Sequence, residues 1–308
     1  MTSGVRFGCQ FADQGDLGPV EVAQRAEAVG FDVFTMSDHV GLGLAPMPTL
    51  AAVAAATSRI RLGTLVLNAT MRNPVQLAWE ASTLDQLSGG RFELGLGAGH
   101  TPHEYAQTGV ERSSPAVRKA QLAEQVEIMR ALLDGETVDH DGAHHRVQGA
   151  AIGSAGRGCL PILVGGNGAA LLGHAGAHAD IIGLQGLGRT LDDGHRHSVK
   201  WSSEHLDRQL EQVRIGAGAR FDQLEFNALV QVVEITDDAE ASIADLAERV
   251  DGLTIEDVAT TPYALIGTVE QIAEKIRDCG ERWGIRYFSV RSLEAFAPVI
   301  DTIRSEPE

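Results

Sequence analysis

The sequence predicts a (β/α)8 TIM barrel with insertions in its βα loops, built by residues 1–308 as one domain. Eight short apolar runs rich in β-forming residues recur along the chain, and a helical stretch follows each of them. The runs are continuously apolar rather than alternating, which is typical of strands covered on both faces by helices. A doubly wound open sheet is the alternative fold.

The predicted strands also locate the candidate site. In order they are VRFGCQF, FDVFTMS, RIRLGTLVL, RFELGLG, LPILVGG, ADIIGLQ, EFNALVQVVEI and IRYFSV. Their carboxyl ends share one rim of a parallel barrel, where barrel enzymes place their active sites. Two connections are longer than usual. Residues 135–159 are predicted to contain a hairpin at Asp141-Gly142, and residues 186–202 form a candidate lid.

The helices have recognisable ends. Pro19 is predicted to be a first helical residue, and Gly30 supplies a left-handed stop for the same helix. Thr268 is followed three residues later by Gln271, which predicts a capping box. Ser114 begins another helix in a similar way.

Composition excludes several classes of function. The net charge of −17, with only 25 Lys and Arg residues, argues against a broad nucleic-acid surface. No run of about 18 apolar residues and no signal peptide is present, so we expect no membrane partner. Cys9, Cys159 and Cys279 lie far apart and form no metal or disulfide pattern. These observations predict a cytoplasmic protein.

Two glycine-rich runs follow predicted strands. GLGAGH lacks the last glycine of a dinucleotide fingerprint, since His100 stands there, and GGNGAALLG also fails the pattern. The second run leads directly into a helix. Backbone N–H groups of residues 165–168 are therefore predicted to bind an anion, which we expect to be a phosphate. The alternative is that these glycines only turn the chain.

Several polar side chains fall on the predicted rim. Asp38 and His39 end the second strand, where an imidazole suits proton transfer at neutral pH and the neighbouring carboxylate can hold its tautomer and raise its basicity. His100 ends the fourth strand, with Glu104 four residues later, so either is a second candidate for proton transfer. Asn68 is a candidate amide partner for a heterocycle. Alternatively, His39 is a structural histidine, His100 and Glu104 belong to a capped loop, and Asn68 only forms a turn.

Other histidines suggest metal ligands only weakly. His174 and His178 are four residues apart on a predicted helix, but the glutamate of a zinc-protease motif is missing. His195 and His197 lie in a polar connection rather than on an early strand. We expect no catalytic metal.

The strings FDVFTMSDHV, LSGGRFELGLGAGH, PILVGGNG and LIGTVEQIAEKI resemble the bacterial-luciferase-like family, in particular its branch that uses the deazaflavin coenzyme F420. The resemblance covers essentially the whole chain. It implies that Asp38 and His39 lie beside the cofactor ring, that His39 takes the substrate's proton, and that a non-prolyl cis peptide joins Leu65 and Val66. The cofactor-binding residues that it implies are Asp38, His39, Leu65, Val66, Asn68, Ala98, Gly99, Gly165, Gly166, Asn167, Gly168 and Gln185.

One departure from the family pattern concerns the acid. Members that oxidise alcohols or sugar phosphates carry a glutamate proton donor where this chain has His100, which makes Glu104 the substitute candidate. A lysine that grips a sugar phosphate is replaced by Gly188 and Arg189, which argues against a sugar-phosphate substrate.

Three functions remain at this stage. The first is an F420-dependent oxidoreductase, a dehydrogenase or reductase acting on a small organic substrate, because deazaflavins carry hydride and react poorly with oxygen. The second is an FMN-dependent luciferase-like monooxygenase. The third is a carrier or sensor that binds F420 or a flavin without turnover. The resemblance also implies a homodimer.

Overall fold

The computed structural model describes residues 4–12, 17–153, 160–191 and 197–305, so Cys159 and His195 lie outside the described residues. Fifteen strands are present within them. They are β1 (Arg6–Gln10), β2 (Val33–Met36), β3 (Arg61–Thr64), β4 (Leu67–Asn68), β5 (Phe92–Gly97), β6 (Val138–Asp141), β7 (Arg146–Ala150), β8 (Ile162–Gly165), β9 (Ile181–Leu184), β10 (Leu187–Thr190), β11 (His197–Val199), β12 (Glu225–Leu229), β13 (Val232–Ile235), β14 (Ala264–Gly267) and β15 (Ile285–Val290).

The central sheet is a closed parallel barrel. Its strand order is β3-β2-β1-β15-β12-β9-β8-β5-β4, and pairing of β3 with β5 closes it. Strands β3 and β4 are two parts of one predicted strand, so the barrel is eight-stranded and each predicted strand contributes to it. The predicted (β/α)8 fold is confirmed, and the open sheet is excluded.

Helices cover the outside of the barrel. They are α1 (Pro19–Val29), α2 (Pro46–Ala56), α3 (Pro74–Leu87), α4 (Pro102–Thr108), α5 (Pro115–Leu133), α6 (Ala169–His178), α7 (Ser203–Ala217), α8 (Ala239–Arg249), α9 (Ile255–Thr260), α10 (Val269–Trp283) and α11 (Leu293–Ser305). Among the described residues, none of the helices has the length and apolar character that a membrane span requires.

The predicted helix ends are confirmed. Gly30 ends α1 with a φ of 102°, in the left-handed region that favours glycine. The Thr268 and Gln271 side chains form the capping box of α10. Ser114 caps α5 by accepting a hydrogen bond from the N–H of Val117.

Three small sheets lie outside the barrel. Strands β6 and β7 form the predicted hairpin around Asp141 and Gly142. Strands β10 and β11 form an antiparallel pair in the candidate lid. The run EFNALVQVVEI is not one strand, because its second half, β13, leaves the barrel and pairs in parallel with β14. The prediction missed β14, since three apolar residues and a glycine before a helix cap give no clear strand signal.

The amino ends of the strands hold a charged network rather than a site. Arg6 and Arg61 both bind the buried Glu93 carboxylate, and Arg6 also binds Glu225. A cavity of about 840 Å³ opens there, lined in part by these side chains. It lies at the opposite end from the predicted chemistry, at the face that serves stability in this fold.

Candidate active site

His39 lies at the end of β2, on the predicted rim. Its Nδ1 atom is 2.7 Å from Oε1 of Glu104, which lies in the first turn of α4. The Glu104 side chain is 5% exposed and that of His39 is 38% exposed, so the carboxylate is buried behind an accessible imidazole. Because a carboxylate accepts hydrogen bonds, it holds the ring proton on Nδ1 and leaves Nε2 as a free base.

Asp38 has a different partner from the one expected. The interpretation that this adjacent carboxylate orients His39 is wrong: Arg72 donates to both of its oxygens, at 2.5 and 3.0 Å, and the N–H of Asn68 donates to Oδ2 at 2.8 Å. The Asp38 side chain is 5% exposed, so the arginine compensates a buried charge. Asp38 therefore fixes the end of β4, and Glu104 orients the histidine.

The Asn68 side chain is buried in a small polar cluster. Its Nδ2 donates to the Tyr105 hydroxyl at 3.3 Å, and the Thr70 hydroxyl donates to its Oδ1 at 2.9 Å. Gly99 lies against it with a φ of 65°, and a Cβ there would be 2.5 Å from Asn68 Cγ. The Asn68 side chain therefore connects the end of β4 to the segment that follows β5.

The Leu65–Val66 peptide is cis, as the resemblance implies. The Gln10 side chain donates to the Leu65 carbonyl at 2.8 Å from the end of β1. The Val66 side chain lies against two glycines, since a Cβ on Gly97 would be 2.6 Å from its Cγ2 and one on Gly165 would be 3.1 Å from its Cγ1. An apolar side chain flanked by bare backbone is a floor suited to a flat ring.

The glycine turn leads into α6, as predicted. Gly168 is the N-cap residue of that helix, with a φ of 98°. Asn167 is held from two sides, because its Nδ2 donates to the Leu187 carbonyl at 2.7 Å and its Oδ1 accepts from Lys119 Nζ at 3.3 Å. A Cβ on Gly168 would be 2.9 Å from the same Nζ. A helix N-terminus, a glycine and an ammonium group therefore converge, which fits a phosphate.

Three imidazoles line the rim. The His39 and His100 ring centroids are 5.9 Å apart, and those of His100 and His197 are 4.6 Å apart. His197 belongs to β11, so the candidate lid contacts the end of β5. Burial, followed by the nearby His197 and His39, lowers the pKa of His100 to about 4. His100 is therefore neutral at neutral pH and carries no proton to donate as an imidazolium.

The remaining predicted residues lie at the same end of the barrel. The Ala98 carbonyl accepts from Arg118 Nε at 3.2 Å and from the Tyr105 hydroxyl at 3.3 Å. A Cβ on Gly165 would be 3.3 Å from the Gln185 amide nitrogen. Gly166 leaves room for Leu171, which a Cβ would approach to 2.6 Å.

Sequence reasoning missed several members of this site. Gln10, Arg72, Tyr105 and Lys119 were not named, and His197 was considered only as a weak metal candidate. Gln10 ends a predicted strand and Arg72 follows another, so their rim position was a usable signal. Lys119 lies inside a helix and His197 in a polar connection, and no local pattern marks either of them.

Comparison with known proteins adds to this geometry. Residues 18–221 match the profile of the family described as luciferase-like monooxygenase. An F420-dependent glucose-6-phosphate dehydrogenase from Mycobacterium avium (strain 104) is 32% identical over 290 residues, which cover 87% of this chain and 85% of that protein.

Solved structures share the fold. Coenzyme F420-dependent tetrahydromethanopterin reductase from Methanopyrus kandleri has a TM-score of 0.73 at 20% identity, over 97% of both chains. An F420-dependent secondary alcohol dehydrogenase, solved with an F420-acetone adduct, has a TM-score of 0.72 at 21% identity, over 96% of this chain and 97% of the other.

Proposed function

This chain belongs to the luciferase-like monooxygenase family, and from that premise we propose that it is an F420-dependent oxidoreductase, a dehydrogenase or reductase acting on a small organic substrate. The observation that carries the proposal is the convergence of a proton-transfer pair, His39 and Glu104, with the apolar Val66 floor and the turn of residues 165–168 at one rim. The Mycobacterium avium relative, whose alignment covers 87% of this chain, is named as F420-dependent.

The side chains divide the work between proton transfer and binding. F420, when bound, supplies a two-electron hydride carrier. His39 Nε2 takes or returns the substrate's proton, while Glu104 holds the ring and provides a counter-charge when it is protonated. Glu104 reaches the substrate only through His39, so it acts as a positioning residue in this role.

The phosphate of the cofactor is assigned to the glycine turn. Lys119 Nζ lies beside Gly168, the N-cap residue of α6, so its charge and the first N–H groups of that helix are available to the same anion. In a chain with a net charge of −17, such a local positive site is needed to hold an anionic cofactor.

The substrate is not a sugar phosphate in this proposal, although the Mycobacterium avium relative is named for glucose 6-phosphate. A Cβ on Gly188 would be 2.3 Å from the Ser198 hydroxyl of β11, so a lysine there would collide with the lid hairpin. Arg189 is exposed. The phosphate grip that the family pattern places after the sixth strand therefore has no equivalent among these residues.

A homodimer is also part of the proposal. Trp79 and Leu87 lie two turns apart on α3 and are 63% and 68% exposed, so this helix offers apolar side chains that a second copy of the chain would cover. Light scattering of the protein as it elutes from a size-exclusion column would measure the mass of the oligomer directly.

Parallel titrations with F420 and with FMN, followed by fluorescence, test the cofactor assignment. We expect saturable binding of F420 and much weaker binding of FMN, and then oxidation or reduction of the bound deazaflavin by a member of a panel of alcohols, carbonyl compounds and enones. Tighter binding of FMN would support the monooxygenase. Binding of F420 without turnover across the panel would support the carrier.

A further inference from the structure

A cluster of metal-binding side chains lies on the outside of the barrel, away from the rim. His174 and His178 are on α6, and Glu127 is on the neighbouring helix α5. One ligand atom from each lies within 4.8 Å of the other two, and this is the one such group of three within the part of the chain that the structure describes. We infer that these three side chains bind a divalent transition-metal ion, with Zn²⁺ as the representative ion.

The distances indicate a metal site rather than a hydrogen-bonded cluster. His174 Nδ1 is 3.6 Å from Glu127 Oε1, and His178 Nε2 is 3.8 Å from the same oxygen. Both separations are too long for hydrogen bonds. They are close to the spacing of two ligands that each lie about 2.0–2.2 Å from one tetrahedral ion. Small rotations of the side chains would complete the geometry.

The two imidazoles lie on one face of α6, where both can bind the same ion. Residues four apart on a helix lie on the same face, and the His174 and His178 rings stack with centroids 4.5 Å apart. The second nitrogen of His174, Nε2, is buried and accepts or donates no hydrogen bond within the described residues. No competing hydrogen bond therefore holds the His174 ring in another orientation.

The scaffold beneath the cluster is rigid. A Cβ on Gly176 would collide with the backbone of α7, so that face of α6 is packed at backbone contact. The two histidines lie next to Glu127 of α5 on a helix that is closely packed against α7, and preorganisation of this kind favours metal binding.

The donor set selects the class of metal. Two imidazoles and one carboxylate suit Zn²⁺, Ni²⁺, Co²⁺ and Cu²⁺, and they do not suit Ca²⁺ or Mg²⁺, which prefer oxygen ligands. Arg220 is the positive charge that acts on His178, and it donates to the Gly176 carbonyl at 2.8 Å and lies 3.9 Å from the Asp180 carboxylate, which offsets part of its charge. The His178 and Glu127 side chains are 36% and 44% exposed, which gives the ion access from solvent.

A bound ion would join α5 to α6. The amino-terminal part of α5 carries Lys119, and α6 begins at the glycine turn, so the same two helices form the anion site of the rim. The metal would act as a structural clamp between them and would take no part in hydride or proton transfer.

Equilibrium dialysis of tag-free protein, first stripped of metal with a chelator, measures the site. We expect one Zn²⁺ per chain in the parent, and a dissociation constant weakened by at least about tenfold in His178→Gln, His174→Gln and Glu127→Gln, since even the loss of an outer-sphere partner costs about that much. His205→Gln, a histidine on α7 outside the cluster, is the matched control and should bind as the parent does.

Two further measurements separate this site from other histidines. Zn²⁺ should raise the melting temperature of the parent and of His205→Gln but not that of His178→Gln. Co²⁺ should give the absorption bands of a tetrahedral ion only in proteins that keep all three ligands. Denaturation of each variant without metal checks that it is folded.

Equal Zn²⁺ affinity in the parent and His178→Gln, or no binding by the parent, overturns the inference. Loss of binding on changing His140 in the β6–β7 hairpin instead would also overturn it.

Discussion

Oε1 of Glu104 lies 2.7 Å from Nδ1 of His39, although 65 residues separate the two in sequence. The contact exists because α4 starts directly after β5 and returns its first turn over the end of β2. A buried carboxylate behind an accessible imidazole is an arrangement in which the carboxylate orients a histidine base. The sequence made Glu104 a candidate for proton transfer, and the structure makes it the partner of His39, a position that the sequence suggested for Asp38.

Replacing members of this pair should separate catalysis from binding. For a substrate that the enzyme turns over, we expect His39→Gln to lower kcat by about 10²–10⁴-fold, which is the usual contribution of a positioned base. Glu104→Gln should lower kcat by up to about 10⁴-fold, because an amide supplies no counter-charge and can donate to Nδ1, which selects the wrong tautomer of the imidazole. The F420 dissociation constant should stay within a few-fold of the parent value. If Glu104→Gln weakened F420 binding and left kcat unchanged, the carboxylate would be structural.

The low pKa of His100 predicts a pH dependence of stability. Burial lowers it to about 4 in the folded chain, against 6.5 for a free histidine. Between these pH values the His100 side chain binds more protons in the unfolded chain than in the folded one, so its contribution to the free energy of unfolding falls as the pH falls from 6.5 to 4. Urea denaturation across this range should show a smaller decrease in His100→Asn than in the parent. His103→Asn, an exposed histidine on α4, is the control and should retain the parent slope.

Lys119 should contribute to binding of the F420 phosphate and not to binding of the deazaflavin ring. Its Nζ lies 3.3 Å from Asn167 Oδ1 beside the glycine turn, and a charge-assisted contact to phosphate contributes about 1.5–3 kcal/mol. Lys119→Gln should therefore weaken F420 binding by about tenfold or more, and high salt should reduce the difference. A deazaflavin without the phosphate side chain should bind the parent and the variant equally. Equal loss for both ligands would mean that the substitution disturbs the ring site instead.

The sequence identified the barrel because its signals are local. Each strand is an apolar run, and each confirmed cap, such as Thr268 with Gln271, depends on residues within one turn. The glycine turn was found for the same reason. The pairings across the rim were not predicted. Nothing in the sequence near Asp38 indicates that its carboxylate binds Arg72 rather than His39. Lys119 reaches Asn167 from another helix, which only the tertiary packing determines.

The contact of Gly99 with Asn68 can be tested against a matched glycine. Both Gly99 and Gly109 have left-handed φ angles, 65° and 71°, so alanine should cost about 1–2 kcal/mol at either position for backbone conformation alone. At Gly109 a Cβ meets nothing within 4 Å, whereas at Gly99 it would be 2.5 Å from Asn68 Cγ, which adds about 1–3 kcal/mol of overpacking. Denaturant titration should therefore show Gly99→Ala to be the more destabilised variant. It should also bind F420 more weakly, because displaced Asn68 no longer joins the ends of β4 and β5. Similar stability and similar cofactor affinity in the two variants would show that the Asn68 cluster does not support the rim.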